Sequence, residues 1–126
     1  MKKLLTLIVA LFAAIQIYAQ DSQAVSTEMN DARFEVIQNP NIRKYTFCLD
    51  KVEGNVFLLV QTSKGGITWE QMDVYPKDNT KYTEPTYQIF IGGIAASDTF
   101  LINTKNGRIW NLVQGSNDKI LWEEMN

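Results

Sequence analysis

The feature that most constrains this chain is an internal repeat. Residues 46–72 align without a gap with residues 99–125, at an offset of 53, and 11 of the 27 aligned positions are identical. Average residue usage would give about two identities by chance. Repeats of this size are usually supersecondary units that bury their apolar surface against a neighbour. We therefore expect two similar units that pack together.

Each repeat has the composition of a small antiparallel sheet. β-Branched and aromatic residues form short runs bounded by turn residues, and no amphipathic helix pattern competes with them. This pattern predicts four strands in each repeat. The predicted strands are Phe34–Gln38, Thr46–Asp50, Val56–Gln61 and Ile67–Met72, with equivalents at Tyr87–Ile91, Thr99–Asn103, Ile109–Gln114 and Ile120–Met125.

The central hairpin of each repeat has a recognisable turn. Asp50 and Gly54 in the first copy correspond to Asn103 and Gly107 in the second. An Asx side chain can accept hydrogen bonds from the turn amides, and glycine tolerates the positive φ that such a turn requires. The resulting register pairs Cys48 with Phe57 and Leu49 with Val56 in repeat 1, and Leu101 with Trp110 and Ile102 with Ile109 in repeat 2.

Both faces of these hairpins are apolar, so both faces need a cover. Blades of a β-propeller are sheets covered in this way, and 53 residues is a suitable blade length. The sequence therefore predicts an all-β fold of two tandem, four-stranded antiparallel, blade-like repeats. The alternative is a single eight-stranded sandwich or barrel.

The N-terminus has the pattern of a cleaved export signal. Lys2 and Lys3 precede the apolar segment 4–17, which is too short for a membrane span, and Ala19 offers a small residue for cleavage. No cysteine follows that would carry a lipid anchor. We expect a periplasmic or extracellular protein. The predicted organisation is a signal peptide (1–19), a flexible leader (20–32) and one β domain (33–126) made of repeat 1 (33–72), a linker (73–85) and repeat 2 (86–125).

Two short resemblances accompany the repeat. Thr62 to Trp69 resembles the Asp-box turn of sialidase-like propellers, with Lys64 in place of the Asp. Thr99 to Trp110 is similar to a TFLLDTxTGxxW-type hairpin found in small exported β proteins of unknown function. The resemblances imply a β architecture and carry no activity.

Composition excludes several functions. Without Lys2 and Lys3, the chain has 10 basic and 14 acidic residues, and the basic residues are scattered, which argues against a nucleic-acid partner. There is no histidine, which removes Ser-His-Asp and Cys-His catalysis and the usual zinc sites. The acids in turns lack calcium-loop spacing, so no metal or cofactor is expected. Cys48 is expected to be a small buried apolar residue.

A carboxylate mechanism is the remaining enzymatic alternative. Glu70 and Glu123 follow the repeat-equivalent residues Trp69 and Trp122, as a carbohydrate-active enzyme could require. Solvated, structural acids explain both residues more simply. The three tryptophans Trp69, Trp110 and Trp122 could form a binding platform for sugars or peptides, although core packing explains them as well.

These observations favour an exported, non-catalytic binding or interaction module for an unknown protein or glycan. The alternatives are the carbohydrate-active enzyme and an inhibitor or immunity-type protein. Exposed apolar faces on repeat 1 also predict an interface with a partner or a second copy, so the chain could form a homo-oligomer. The residues expected there are Phe47, Leu49, Phe57 and Leu58.

Export gives the first testable prediction. In the native host, the mature chain should begin at or near Gln20, because the cleavage site follows Ala19. Mass spectrometry of the intact protein measures this directly. A chain that retains Met1 in the membrane fraction would contradict the prediction.

Overall fold

The computed structural model describes residues 31–126, except 43, 94, 96 and 97. The predicted signal peptide and residues 20–30 of the predicted leader lie outside this part of the chain. The described residues form an all-β structure, which confirms the predicted fold class. The strands are β1 Phe34–Gln38, β2 Thr46–Asp50, β3 Val56–Gln61, β4 Ile67–Gln71, β5 Val74–Tyr75, β6 Tyr87–Ile91, β7 Thr99–Asn103, β8 Ile109–Gln114 and β9 Ile120–Glu124, with a 3-10 turn at Ser116–Asp118.

The strands form two sheets. Sheet 1 is antiparallel, with the order β1-β2-β3-β4, and sheet 2 is mixed, with the order β5-β9-β8-β7-β6. The arrangement is sandwich-like, and the described strands do not close into a barrel. Within residues 31–126 as described, no helix has the length and apolarity needed to cross a bilayer.

The two repeats form the same strands at the same offset. Adding 53 to the bounds of β1, β2, β3 and β4 gives the bounds of β6, β7, β8 and β9. The predicted hairpin register is confirmed in both copies: Cys48 pairs with Phe57, and Leu101 pairs with Trp110.

The hairpin turns have the geometry that their residue types require. Gly54 has φ 72° and Gly107 has φ 77°. The Asp50 carboxylate accepts hydrogen bonds from two turn amides at 3.0 and 3.2 Å, and the Asn103 side-chain oxygen does the same at 2.9 and 3.1 Å. These contacts satisfy amides that the ladder leaves unpaired.

The linker (73–85) contains a short strand that the sequence pattern did not predict. Val74 and Tyr75 form β5, which pairs in parallel with Trp122 and Glu123 of β9. Two residues are too few for an alternating pattern to reveal a strand. Their pairing depends on the free edge of β9, which only the folded sheet provides.

The core lies between the two sheets. Sheet 1 contributes Phe47, Leu49 and Val56, which are completely buried. Sheet 2 contributes its own apolar face, and the Phe47 and Trp122 rings meet with centroids 5.6 Å apart. The buried apolar residues are Phe47, Leu49, Val56, Met72, Tyr87, Ile89, Leu101, Trp110, Leu112 and Trp122.

The two hairpin glycines give a matched stability test. A Cβ on Gly54 would lie 2.8 Å from the Tyr87 ring, whereas a Cβ on Gly107 would have no neighbour within 4 Å. Gly107→Ala should cost about 1–2 kcal/mol through its positive φ alone. Gly54→Ala should cost about 1–3 kcal/mol more, because the buried ring must move.

Chemical denaturation measures both free energies of unfolding. Equal losses in the two variants would show that Tyr87 does not constrain the first turn.

Candidate functional site

Sheet 1 has an exposed apolar face on the side away from sheet 2, which we call outer face 1. Cross-strand pairs such as Cys48 with Phe57 and Leu59 with Trp69 make this surface continuous, because paired residues share a face. The exposed fraction is 42% for Trp69 and 73% for Ile67. Apolar patches of this kind usually mark interaction surfaces. The apolar residues of outer face 1 are Phe34, Val36, Cys48, Phe57, Leu59, Ile67 and Trp69, and the polar residues on the same side are Gln38, Thr46, Asp50, Gln61 and Gln71.

Sheet 2 has a second exposed apolar face on the side away from sheet 1, which we call outer face 2. The Phe90 and Phe100 rings stack there with centroids 6.5 Å apart. Asn111 is a polar member of this face, and its buried Oδ1 atom accepts no hydrogen bond from the described residues. Outer face 2 consists of Gln88, Phe90, Phe100, Ile102, Ile109, Asn111, Val113, Leu121 and Glu123.

Cys48 is a half-buried apolar member of outer face 1. Burial raises the pKa of its thiol, and the negative charge of Asp50 raises it further. A thiol with a raised pKa is a poor nucleophile. Its place among apolar side chains suits the packing role predicted for it.

The three tryptophans do not form a common platform. Trp110 and Trp122 are completely buried between the sheets, so both are wrong as predicted ligand-stacking residues. The Trp110 indole donates a hydrogen bond to the Pro76 carbonyl at 2.9 Å, which fixes it inside the molecule. Trp69 remains available on outer face 1. The equivalent residues Trp69 and Trp122 therefore have different environments.

The predicted interface residues are also divided by the fold. Phe47 and Leu49 are completely buried against sheet 2, so they cannot contact a partner, and that part of the prediction is wrong. Phe57 lies half-buried on outer face 1, whereas Leu58 is half-buried on the opposite side of β3. Sequence alternation separated the two faces correctly, but it could not show which face the second sheet would cover.

The two candidate catalytic acids lie on different surfaces. Glu70 pairs with Leu58 on the side of sheet 1 that faces sheet 2, whereas Glu123 pairs with Asn111 on outer face 2. Both are exposed. The fold does not bring these carboxylates together around a common substrate position.

A polar cleft lies between the hairpin end of sheet 1 and the start of β6. Its volume is ≈ 220 Å³, below the range of about 300–1,000 Å³ that is typical of small-molecule sites. Glu35 and Lys51 line it, and the Glu35 Oε2 and Lys51 Nζ atoms are 4.0 Å apart. This geometry suits a structural ion pair rather than a ligand pocket.

The linker supplies a buried acid that the sequence did not reveal. The Asp78 carboxylate is 7% exposed and accepts hydrogen bonds from the Asn103 amide at 2.8 Å and the Asn106 amide at 2.9 Å. The Thr80 backbone amide donates another at 3.0 Å. The Arg108 guanidinium is 3.6 Å away. Asp78 thus ties the linker to the second hairpin, where Asn103 replaces the Arg33-bound Asp50 of the first.

The surroundings of Asp78 stabilise its ionised form. Burial alone raises the pKa of this carboxyl, but the hydrogen bonds from Thr80, Asn106 and Asn103 together outweigh it and lower the pKa to about 2. These hydrogen bonds stabilise the carboxylate anion and hold the linker in place. Both carboxylate oxygens accept hydrogen bonds from neighbouring residues, so we interpret this cluster as structural.

The described residues contain no group of three or more Cys, Asp or Glu side chains placed to hold a metal ion. Comparisons of the chain with protein-family models, curated proteins and solved structures found no match. The two outer faces are the candidate binding surfaces among the described residues.

Asp78 gives a pH-dependent prediction. Its folded pKa lies below the ordinary value of 3.8, so its contribution to stability is present above about pH 4 and is lost as the pH falls towards 2. Asp78→Asn should cost about 1–3 kcal/mol at pH 7, because its new amide would face the Asn103 and Asn106 donors. The difference from wild type should shrink below pH 4.

Urea unfolding at pH 7 and pH 2.5 measures this difference, and the exposed linker variant Lys81→Ser is the control. A difference that stays constant with pH would contradict the stabilising role of the anion.

Proposed function

We propose that this chain is an exported, non-catalytic interaction module that binds a protein through outer face 1. The observation that supports this most directly is the continuous apolar surface around Trp69, which has no charged residue at its centre. Tryptophan is enriched at the centres of protein interfaces, where its burial contributes strongly to affinity. Export enters the proposal from the N-terminal signal pattern.

A protein partner suits outer face 1 better than a glycan. Sugar recognition combines an aromatic platform with placed hydrogen-bonding groups. Three of the five side chains that surround Trp69 on this face are apolar, namely Leu59, Phe57 and Ile67, and the other two are the amides of Gln61 and Gln71. Apolar side chains of another protein could cover the apolar part of this surface and exclude water from it.

The two alternatives make different demands on the surface. A carbohydrate-active enzyme needs an acid pair or an assisting group near Glu70 or Glu123, and these two acids lie on separate surfaces. An inhibitor or immunity-type protein is a special case of the proposed module, in which the partner is a toxin or an enzyme.

Adjacent residues of β4 provide a matched test. Trp69 and Glu70 are both exposed, but they lie on opposite faces of the strand. Immobilised wild type, Trp69→Ser and Glu70→Ser would be exposed to the native envelope fraction. A partner should bind wild type and Glu70→Ser, and Trp69→Ser should bind it about 30-fold more weakly or worse, as expected for a hot-spot tryptophan.

The retained protein would then be purified and its affinity for each variant measured by calorimetry. Equal affinity for wild type and Trp69→Ser would contradict the proposal. Binding of glycans on an array, with no protein retained, would favour the glycan reading. Hydrolysis of a glycan that Glu70→Gln or Glu123→Gln abolishes would favour the enzyme.

A further inference from the structure

The two repeats turn opposite faces towards the core. In sheet 1 the covered face carries Phe47, Leu49 and Val56, whereas their equivalents Phe100, Ile102 and Ile109 lie on outer face 2. In sheet 2 the covered face carries Leu101, Trp110, Leu112 and Trp122, whereas their equivalents Cys48, Phe57, Leu59 and Trp69 lie on outer face 1. The face that is buried in one repeat is therefore equivalent to the face that is exposed in the other, and we call this contact front-to-back.

This packing leaves one further face of each kind uncovered on every chain, namely outer face 1 and outer face 2. A two-fold sandwich would bury equivalent faces and would be complete. Here the outer faces are the repeat equivalents of the two faces already in contact. A front-to-back contact is heterologous, so it can continue to further copies and either closes into a ring or extends.

The free faces have kept the chemistry of the buried ones. Outer face 1 places Cys48, Phe57, Leu59 and Trp69 where the buried face of sheet 2 has Leu101, Trp110, Leu112 and Trp122, and all of these are apolar. Outer face 2 keeps three apolar residues at the four positions equivalent to Phe47, Leu49, Val56 and Leu58; the fourth is Asn111.

The charged residue on outer face 2 is compatible with this arrangement. Glu123 corresponds to Glu70, which points to the covered side of sheet 1 and yet is exposed. The existing interface thus already accepts a glutamate at this position, since Thr68 and Glu70 on the covered side of β4 are both exposed. In a repeated contact, Glu123 would lie at the same solvated rim.

We propose that outer face 1 binds outer face 2 of a second copy of this chain, reproducing the contact between its own two repeats. This inference rests on the proposed function, since it takes outer face 1 as the interaction surface and names its partner. Rings of four to eight blades are typical of β-propellers, so two to four copies, with two blades each, would close a ring. Trp69 of one copy would then contact Phe100 of the next, as Trp122 contacts Phe47 within the chain.

The area of the outer faces sets the size of the proposed contact. Four strands about 4.8 Å apart, with five residues of about 3.4 Å each, cover roughly 300 Å² in projection. In a ring of two copies, each copy would bury both outer faces against the same partner, or roughly 600 Å² in projection, which approaches the area per partner of stable complexes. In a larger ring each contact would use one face of each copy, and the closure of the ring would add to its stability.

A mixing experiment separates this contact from a symmetric one. The chain from Gln20 onward would carry Trp69→Lys to disable outer face 1, or Phe90→Lys to disable outer face 2. Ile67→Lys and Ile109→Lys are the second variants for the two faces, should either first variant fail to fold. Thr68→Lys, exposed on the other side of β4, is the control.

Light scattering at micromolar concentration should give two to four times the monomer mass for wild type and for Thr68→Lys. Each single-face variant should be a monomer. An equimolar mixture of the two face variants should form a 1:1 dimer, because each variant retains the face that the other has lost.

Tryptophan fluorescence gives a second measurement. Trp110 and Trp122 are completely buried, so iodide quenching reports mainly on Trp69. Quenching of wild type should fall at least two-fold on assembly and recover on dilution. Quenching of Phe90→Lys should not change with concentration.

Three results would overturn the inference. These are a wild-type monomer at every concentration, a dimer that Phe90→Lys leaves intact, or a mixture of face variants that stays monomeric. If a monomeric wild type still bound a partner that Trp69→Ser lost, the proposed function would stand while this inference failed. If Trp69→Ser changed neither assembly nor partner binding, both would fail.

Discussion

The packing of sheet 1 against sheet 2 is the interaction on which the rest of the structure depends. Phe47 and Trp122 meet at its centre, with ring centroids 5.6 Å apart, and the completely buried apolar residues surround them. A single four-stranded sheet with two apolar faces would expose too much apolar surface to be stable alone. Pairing the repeats covers one face of each, and this leaves the two outer faces as the molecule's most distinctive surfaces.

The linker makes the second repeat different from the first. It adds β5 to the edge of β9 and brings Asp78 under the second hairpin, where the carboxylate binds Asn103 and Asn106. The first hairpin instead uses its own Asp50, paired with Arg33 at 2.8 Å. The same turn is thus stabilised by a charge within one repeat and by a charge from the linker in the other. A duplicated sequence can diverge in this way because each copy meets different neighbours.

The front-to-back contact that we propose between copies would account for the apolar residues of the two outer faces. A protein that needed only solubility would gain from polar side chains on surfaces that face water. Outer face 1 instead has an apolar residue at each position equivalent to the buried Leu101, Trp110, Leu112 and Trp122. Contact with another protein surface would account for this, and the partner that we propose is outer face 2 of a second copy, which is equivalent to the face that packs on sheet 2 within the chain.

The sequence by itself determined the strands, the hairpin register and the positive-φ glycines, because these depend on local alternation and turn chemistry. It also divided Cys48 and Phe57 from Leu49 and Val56 correctly, since alternate residues of a strand point to opposite faces. Only the tertiary structure decided which face of each sheet became the core. Trp69 and Trp122 occupy equivalent positions in the sequence, yet one is exposed and the other completely buried. The choice depends on how two sheets with similar apolar faces stack, and that is a long-range contact that no local pattern contains.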